Sequence, residues 1–363
     1  MNEFTLSGPA WFAHSPEPVI LIQDECAAYY NAAAEALSAR EGWQLDVGRP
    51  LPEPLQAVEV PGVQMLTLGG EQWLCRGEKL EAGALLCLTH QSAELAVPLA
   101  RLSQLAGQMR MPLGNLIGVS QLLTRTEAER TPEKTRQYQA IQRKNYYALL
   151  RMLDTLETLG TIAQEQSAFQ GEVLDLGGLC GEIVRRVQSA AAEYGCTVTL
   201  EQKSGNLLVQ GEQELLRTLV YQLLSNAMRA AGEQGQVALE LDKREAPGKG
   251  KRWVRLIVRD SGAGYPPEQL PRVFDPAQGG YGLLDRPAGL GVGLALCRGI
   301  VERHGGRLIL QNGAGAVTAV ELPLYEGNAF STLRSPTDLS GGMNDTLLQL
   351  ADVLPWQCFT EDE

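Results

Sequence analysis

Two long stretches of this chain repeat an apolar residue every three or four positions, and no other feature narrows its architecture as far. Over 93–124, Leu102, Leu105, Met109, Leu113, Leu116 and Leu123 recur at a spacing close to a heptad, the mark of a long amphipathic helix. A second stretch opens at Thr131-Pro132-Glu133. There threonine caps, proline suits the first turn and glutamate favours the positive helix end. It runs to about residue 164, with Tyr138, Ile141, Leu149, Leu153, Leu156 and Leu159 on one face. The short polar link 125–130 folds the second helix back on the first as an antiparallel helical hairpin. Such a pair leaves apolar surface uncovered, and packing on a second copy as a four-helix bundle covers it. The expectation is a homodimer through this hairpin.

The flanks have a different texture. Before the hairpin, short apolar runs predict strands at 19–23, 65–68, 72–76 and 84–89, with an Ala-rich helix near 31–39. This reads as a small α+β module ending in a β-hairpin. From residue 173, predicted helices at 179–194, 212–231 and 293–304 alternate with strands at 197–201, 207–209, 237–241, 253–260, 307–311 and 316–322, the order of a mixed α/β layer sandwich. A basic, Gly-containing loop over 243–252 links two of these strands. The remainder, 325–363, is punctuated by Gly, Ser and Pro apart from an apolar stretch at 347–354, and reads as a tail with one docking helix.

At roughly 150 residues per domain, 363 residues correspond to two or three domains. Hydrophobic residues at 44% and charged residues at 20% place the chain among ordinary globular proteins. Lys and Arg number 31 against 43 Asp and Glu, a net charge of −12 that repels nucleic acid. Apolar runs fall far short of the roughly 20 residues a membrane span requires, and the first ten residues lack the basic start and apolar core of a secretory signal. A cytosolic protein without a membrane span is expected. The seven cysteines are odd in number, scattered and never spaced as CxxC, which predicts free thiols rather than disulfides or a zinc site.

Four elements near the C-terminal end carry the chemistry. Asn226, within Gln222-Leu-Leu-Ser-Asn-Ala-Met-Arg229, offers an amide oxygen suited to Mg²⁺, and Arg229 one turn later suits phosphate. Asp260-Ser-Gly262-Ala-Gly264 follows an apolar strand. Its glycines let backbone approach a flat ring, and its carboxylate can accept an exocyclic amino hydrogen, as in adenine. Gly289-Leu-Gly291-Val-Gly293-Leu294 opens a helix whose bare amides can hold phosphate oxygens. Between these, Phe274 and the Gly-rich 275–288 stretch fit a lid over a nucleotide. Taken alone, the asparagine reads as solvated, the Asp-Gly turn as the end of a strand and the Gly-rich stretch as a surface loop; their order and spacing give them force together.

That ordered set resembles the N, G1, F and G2 boxes of the ATP-binding domain of sensor histidine kinases. Arg110-Met-Pro112-Leu113 is similar to the end of that family's phosphoacceptor box, and 9–90 resembles a PAS sensor module through Val19-Ile-Leu-Ile-Gln-Asp24 and Asn31-Ala-Ala-Ala. The resemblance implies an α+β multidomain chain. It comprises a PAS-like module over 9–92, a dimerisation hairpin over 93–166, a two-layer α/β sandwich ATP-binding domain over 168–325 and a tail over 326–363. It also implies ATP and Mg²⁺ as ligands. Asn226, Arg229, Asp260, Gly262, Gly264, Phe274, Gly289, Gly291, Gly293 and Leu294 would meet the nucleotide, and Asn226 with Gln222 the metal.

The departures from the family pattern bear directly on function. Where the family has its phosphoacceptor histidine and the following acidic residue, this chain has Gly107 and Gln108. Neither can take a phosphoryl group on nitrogen or remove a proton. His14, His90 and His304, the chain's three histidines, all lie outside the hairpin and read as structural. Gln222 stands where the family often has a second Asn, and Arg229 replaces the usual Lys, keeping the charge but not its geometry. The expectation is a degenerate, kinase-like signalling protein that binds Mg-ATP and acts as a conformational switch on a partner, either another kinase or a response regulator. The alternative is an active ATP-dependent kinase or ATPase using another acceptor, such as the hydroxyl of Ser103.

Overall fold

In the computed structural model the described residues are 15–80, 83–91, 99–124, 131–163, 169–245, 252–265, 292–327 and 344–360, with backbone alone at 91, 99–105 and 163. The first strands are β1 (Val19–Gln23) and β2 (Cys26–Tyr30). They are joined by Asp24 and Glu25, both at positive φ (50° and 62°), the reversal that matches strand twist in a tight hairpin. Helix α1 (Ala32–Glu41) starts at Asn31, whose Oδ1 accepts the amides of Ala34 (2.9 Å) and Val19 (3.0 Å) and so fixes the helix to the sheet. After the short α2 (Glu53–Gln56) come β3 (Gly62–Leu68), β4 (Glu71–Leu80) and β5 (Gly83–Gln91). The strand order is β2-β1-β5-β4-β3, antiparallel throughout.

Helices α3 (Leu99–Thr124) and α4 (Pro132–Ala163) follow. Asn115 of α3 donates to the Asn145 side chain of α4 at 3.1 Å, and Asn145 donates in turn to the Ile141 carbonyl at 2.7 Å. A buried amide satisfied at a single position pins the register of the two helices. Met111, Leu113, Ile117 and Leu153 stay largely exposed on this hairpin. Helix α4 also has a second buried stripe that its periodicity does not advertise: Ala140, Tyr147, Arg151 and Thr155.

The C-terminal half is a helix layer on a sheet. In chain order it comprises β6 (Glu172–Asp175), α5 (Leu176–Tyr194), β7 (Thr197–Gln202), β8 (Leu208–Gly211) and α6 (Gln213–Ala231). Next come β9 (Gln236–Glu245), β10 (Arg252–Asp260), α7 (Gly293–Arg303), β11 (Arg307–Asn312) and β12 (Ala316–Pro323). Strand β7 joins β9 in parallel, while β9, β10, β12 and β11 are antiparallel neighbours. In β10, Val254, Leu256 and Val258 are buried while the alternate residues face away, the period-two pattern of a sheet with one face on a core. The core beneath α5, α6 and α7 includes Leu179, Ile183, Leu219, Leu224, Leu296 and Ile300. The predicted strand at 207–209 is β8, which pairs with β6 in a separate two-stranded ladder; β6, only four residues long, has no pattern to announce it.

The two sheets are one. Gln64 and Val63 of β3 pair with Ile309 and Leu310 of β11, giving a ten-stranded sheet. Glu59 closes the seam: it is ion-paired with Arg244 and with Arg255 (2.5 Å), and accepts from Gln311 at 3.3 Å.

The predicted docking helix of the tail is α8 (Asp345–Gln349), capped by Asn344 and followed by a 3₁₀ turn at Trp356–Phe359. Leu350, Ala351, Leu354 and Phe359 are fully buried. Phe359 packs on Tyr147 of α4 (5.6 Å between rings), and Arg143 donates to the Phe359 carbonyl at 3.1 Å. Thr346 bonds Tyr221 of α6 at 3.2 Å. The segment therefore packs at once on the hairpin and on the C-terminal half.

All seven cysteines are free, and no helix among the described residues is long and apolar enough to cross a membrane. His14 lies outside the described residues, and His90 sits beside Glu71 (3.3 Å) and Trp73. His304 caps α7. Its Nε2 accepts the Glu212 amide at 3.0 Å, so the proton is on Nδ1, which donates to the Ile300 carbonyl at 2.7 Å. Burial holds the imidazole below its ordinary value of 6.5. The unfolded chain then takes up this proton first as pH falls, so the stability His304 contributes is present above about pH 6.5 and is lost progressively below it. Urea denaturation between pH 7.5 and 5 tests this. His304→Gln is expected to cost about 1–2 kcal/mol at pH 7.5 and to flatten the acid-side loss relative to wild type.

Candidate functional site

Helix α6 carries Gln222, Ser225, Asn226 and Arg229 on one stripe, because residues three and four apart share a helix face. Gln222 and Ser225 are buried, while Asn226 and Arg229 are half-buried. Gly293, the first residue of α7, approaches this stripe closely. A Cβ there would lie 3.3 Å from Gln222 Oε1 and 3.7 Å from Asn226 Nδ2. The N-terminus of α7, with its unsatisfied amides, thus faces two side-chain amides across a gap that a Cβ at Gly293 would crowd. Leu294 turns inward and packs against the core.

The end of β10 reaches the same helix one turn further on. Asp260 Oδ1 accepts the backbone amides of Gly262 (2.9 Å) and Ala316 (3.3 Å). Burial raises its carboxyl above the usual range, and the two amides offset part of that rise. A Cβ on Gly262 would come within 2.5 Å of the Ala230 carbonyl of α6, so this turn is packed against the helix end with no room for a side chain. Gly264 adopts φ 79°. Asn312 pins the turn, accepting from the Tyr265 amide (2.7 Å) and donating to the Tyr265 carbonyl (2.8 Å).

The structure therefore gathers Gln222, Asn226, Arg229, Asp260, Gly262, Gly264, Gly293 and Leu294 around the last two turns of α6, α7's N-terminus and the β10 turn. Phe274, Gly289, Gly291 and the 275–288 stretch lie outside the described residues. Oxygen donors beside a helix N-terminus, with a half-buried carboxylate nearby, fit a phosphate-bearing ligand with a hard cation. Gly107 is exposed in α3, and a Cβ there would meet nothing within 4 Å.

Two site residues escape sequence reasoning. Arg151 of α4, 6% exposed, donates to Gln222 Oε1 at 3.3 Å and is ion-paired with Asp352. Asp352 is also ion-paired with Arg229 and accepts from Ser225 Oγ at 3.1 Å. The only local signals are a lone cation in register with an apolar helix stripe and a lone carboxylate inside the apolar run 347–354. Neither names its partner.

The chain is similar in part to known proteins. Residues 211–326 match the family described as histidine kinase-, DNA gyrase B-, and HSP90-like ATPase. The adaptive-response sensory kinase SasA of Synechococcus sp. (strain CC9902) is 31% identical over 176 residues, covering 48% of this chain and 44% of the relative. The histidine protein kinase DivJ of Caulobacter vibrioides is 27% identical over 227 residues, covering 61% of this chain and 37% of its own length. The chain thus spans less than half the length of these relatives. Among solved structures, the catalytic domain of histidine kinase ThkA aligns at 24% identity with a TM-score of 0.37, covering 43% of this chain and 96% of that domain.

The tight turn against α6 is directly testable. Gly262→Ala forces a Cβ onto the Ala230 carbonyl, and overpacking of this kind costs about 1–3 kcal/mol. Thermal unfolding of the variant is expected to shift down accordingly, whereas Gly107→Ala, with open space around it, is expected to raise stability slightly.

Proposed function

We propose that this chain, whose residues 211–326 match the histidine kinase-, DNA gyrase B-, and HSP90-like ATPase family, is a histidine-kinase-like protein that binds Mg-ATP and signals without a phosphohistidine of its own. The observation that carries the reading is an asymmetry. The groups suited to adenine, phosphate and metal are present around α6, while the turn of α3 that resembles an acceptor box holds Gly107 and Gln108. Asp260 would accept from the exocyclic amine of adenine, and the glycine turns would admit the ring. Asn226 would offer its amide oxygen to Mg²⁺, which neutralises phosphate charge when bound. Gln222 would join it once released from Arg151. The amides at Gly289, Gly291 and Gly293 would hold phosphate oxygens, with Arg229 adding charge.

The remaining parts fit a switch. The exposed Met111, Leu113, Ile117 and Leu153 support pairing of the hairpin with a second copy in a four-helix bundle. Residues 9–92 would act as a PAS-like sensor. The protein receiving the output would be another kinase or a response regulator, met in the cytoplasm.

Three measurements test the proposal. Incubation with Mg²⁺ and ATP labelled on the γ-phosphate is expected to leave no label on the chain. Acid-stable label would instead establish transfer to a hydroxyl and overturn the non-transferring reading. Mg-ATP at about 100 times its Kd is expected to stabilise the fold by roughly 2.7 kcal/mol. Asp260→Asn, which replaces a charged acceptor by a neutral amide, is expected to weaken ATP binding about tenfold or more, as titration calorimetry would read.

A further inference from the structure

We infer that the C-terminal segment 344–360 is an intramolecular latch on the nucleotide site, in which Asp352 and nucleotide phosphate compete for Arg229. The inference rests on the nucleotide-site reading above and adds its regulation.

The geometry of Asp352 carries the argument. Its carboxylate is ion-paired with Arg229, the cation of the α6 stripe, and with Arg151 of the hairpin, and it accepts the hydroxyl hydrogen of the fully buried Ser225. Arg151 in turn donates to Gln222 Oε1. In the docked state the polar neighbours of Asn226 on the stripe are therefore engaged from outside α6, Ser225 and Arg229 by the tail and Gln222 by the hairpin. A phosphate brought to the Arg229 guanidinium would be placed next to the Asp352 carboxylate. Like charges sharing one cation in a partly buried site repel each other strongly.

The apolar packing makes this contact an all-or-none device rather than a mobile side chain. Asp352 lies between Leu350 and Leu354, both fully buried, and the segment is fastened at either end by Asn344, whose amide donates to Tyr147 Oη at 3.0 Å, and by Phe359 against the same ring. Withdrawing the carboxylate moves that packing with it. Both ends of the segment rest on α4, so release also loosens the hold of the hairpin on α6, leaving the direct Arg151–Gln222 hydrogen bond. Binding linkage is reciprocal: the factor by which the latch weakens nucleotide binding is the factor by which nucleotide weakens the latch. Nucleotide occupancy would thereby reach the hairpin without any covalent step.

The test uses the full chain with Mg-ATP as the probe. Asp352→Asn keeps the shape of the side chain and removes its charge, and is expected to bind Mg-ATP about tenfold more tightly than wild type by calorimetry. Nucleotide bound to Asp352→Asn but undetectable on wild type would support the latch still more strongly. Equal affinities would overturn the latch and leave the nucleotide reading standing, whereas no binding to either protein would overturn both. Hydrogen exchange on the wild-type protein gives an independent answer if the variant fails to fold. Saturating Mg-ATP is expected to speed amide exchange over 344–360 at least several-fold; unchanged or slower exchange there would overturn the latch.

Discussion

The carboxylate of Asp352, held between the guanidinium groups of Arg151 and Arg229, joins three stretches of chain that have no covalent reason to meet. Removing one partner of a buried ion pair strands the other charges, at a cost that well-packed neighbours cannot absorb. The hairpin, α6 and the tail are consequently interdependent. In the docked state the tail supplies the anion opposite Arg151 in its buried helix stripe.

A second constraint works at the other end of the molecule. Strands β3 and β11 would each present a row of unpaired backbone groups, and open edges of that kind invite association. Their pairing through Gln64–Ile309 and Val63–Leu310 covers part of each edge internally. Glu59, set among Arg244, Arg255 and Gln311, secures the seam electrostatically. The N-terminal module is thus tied to the C-terminal half by backbone hydrogen bonds as well as through the hairpin. Strand β3 is linked through β11 and β12 to β10, the strand that ends in Asp260.

Local chemistry made much of this legible. The hairpin helices follow from heptad-like spacing and from the Thr131-Pro132-Glu133 start, and α6 and α7 from their apolar faces. Asp260, the glycines after it and Asn226 stand out because flat-ring approach, phosphate binding and cation binding each demand particular residue types at short spacing. The segment beginning at Asn344 betrays its docking helix through the apolar run 347–354. Illegible were β2 and β6, too short to show a period, and the second buried stripe of α4, where Arg151 and Thr155 interrupt the apolar pattern.

What the sequence determines by itself is therefore whatever depends on neighbours a few residues apart: helix faces, caps, glycine turns and the absence of an imidazole at Gly107. The tertiary structure alone decides which distant groups share a site. It decides that Arg229 faces Asp352, that Gln222 answers to Arg151, and that β3 finds β11. The physical reason is that charge pairing and edge pairing depend on distance in space. Residues far apart in the chain leave no periodic trace of a meeting that packing alone arranges.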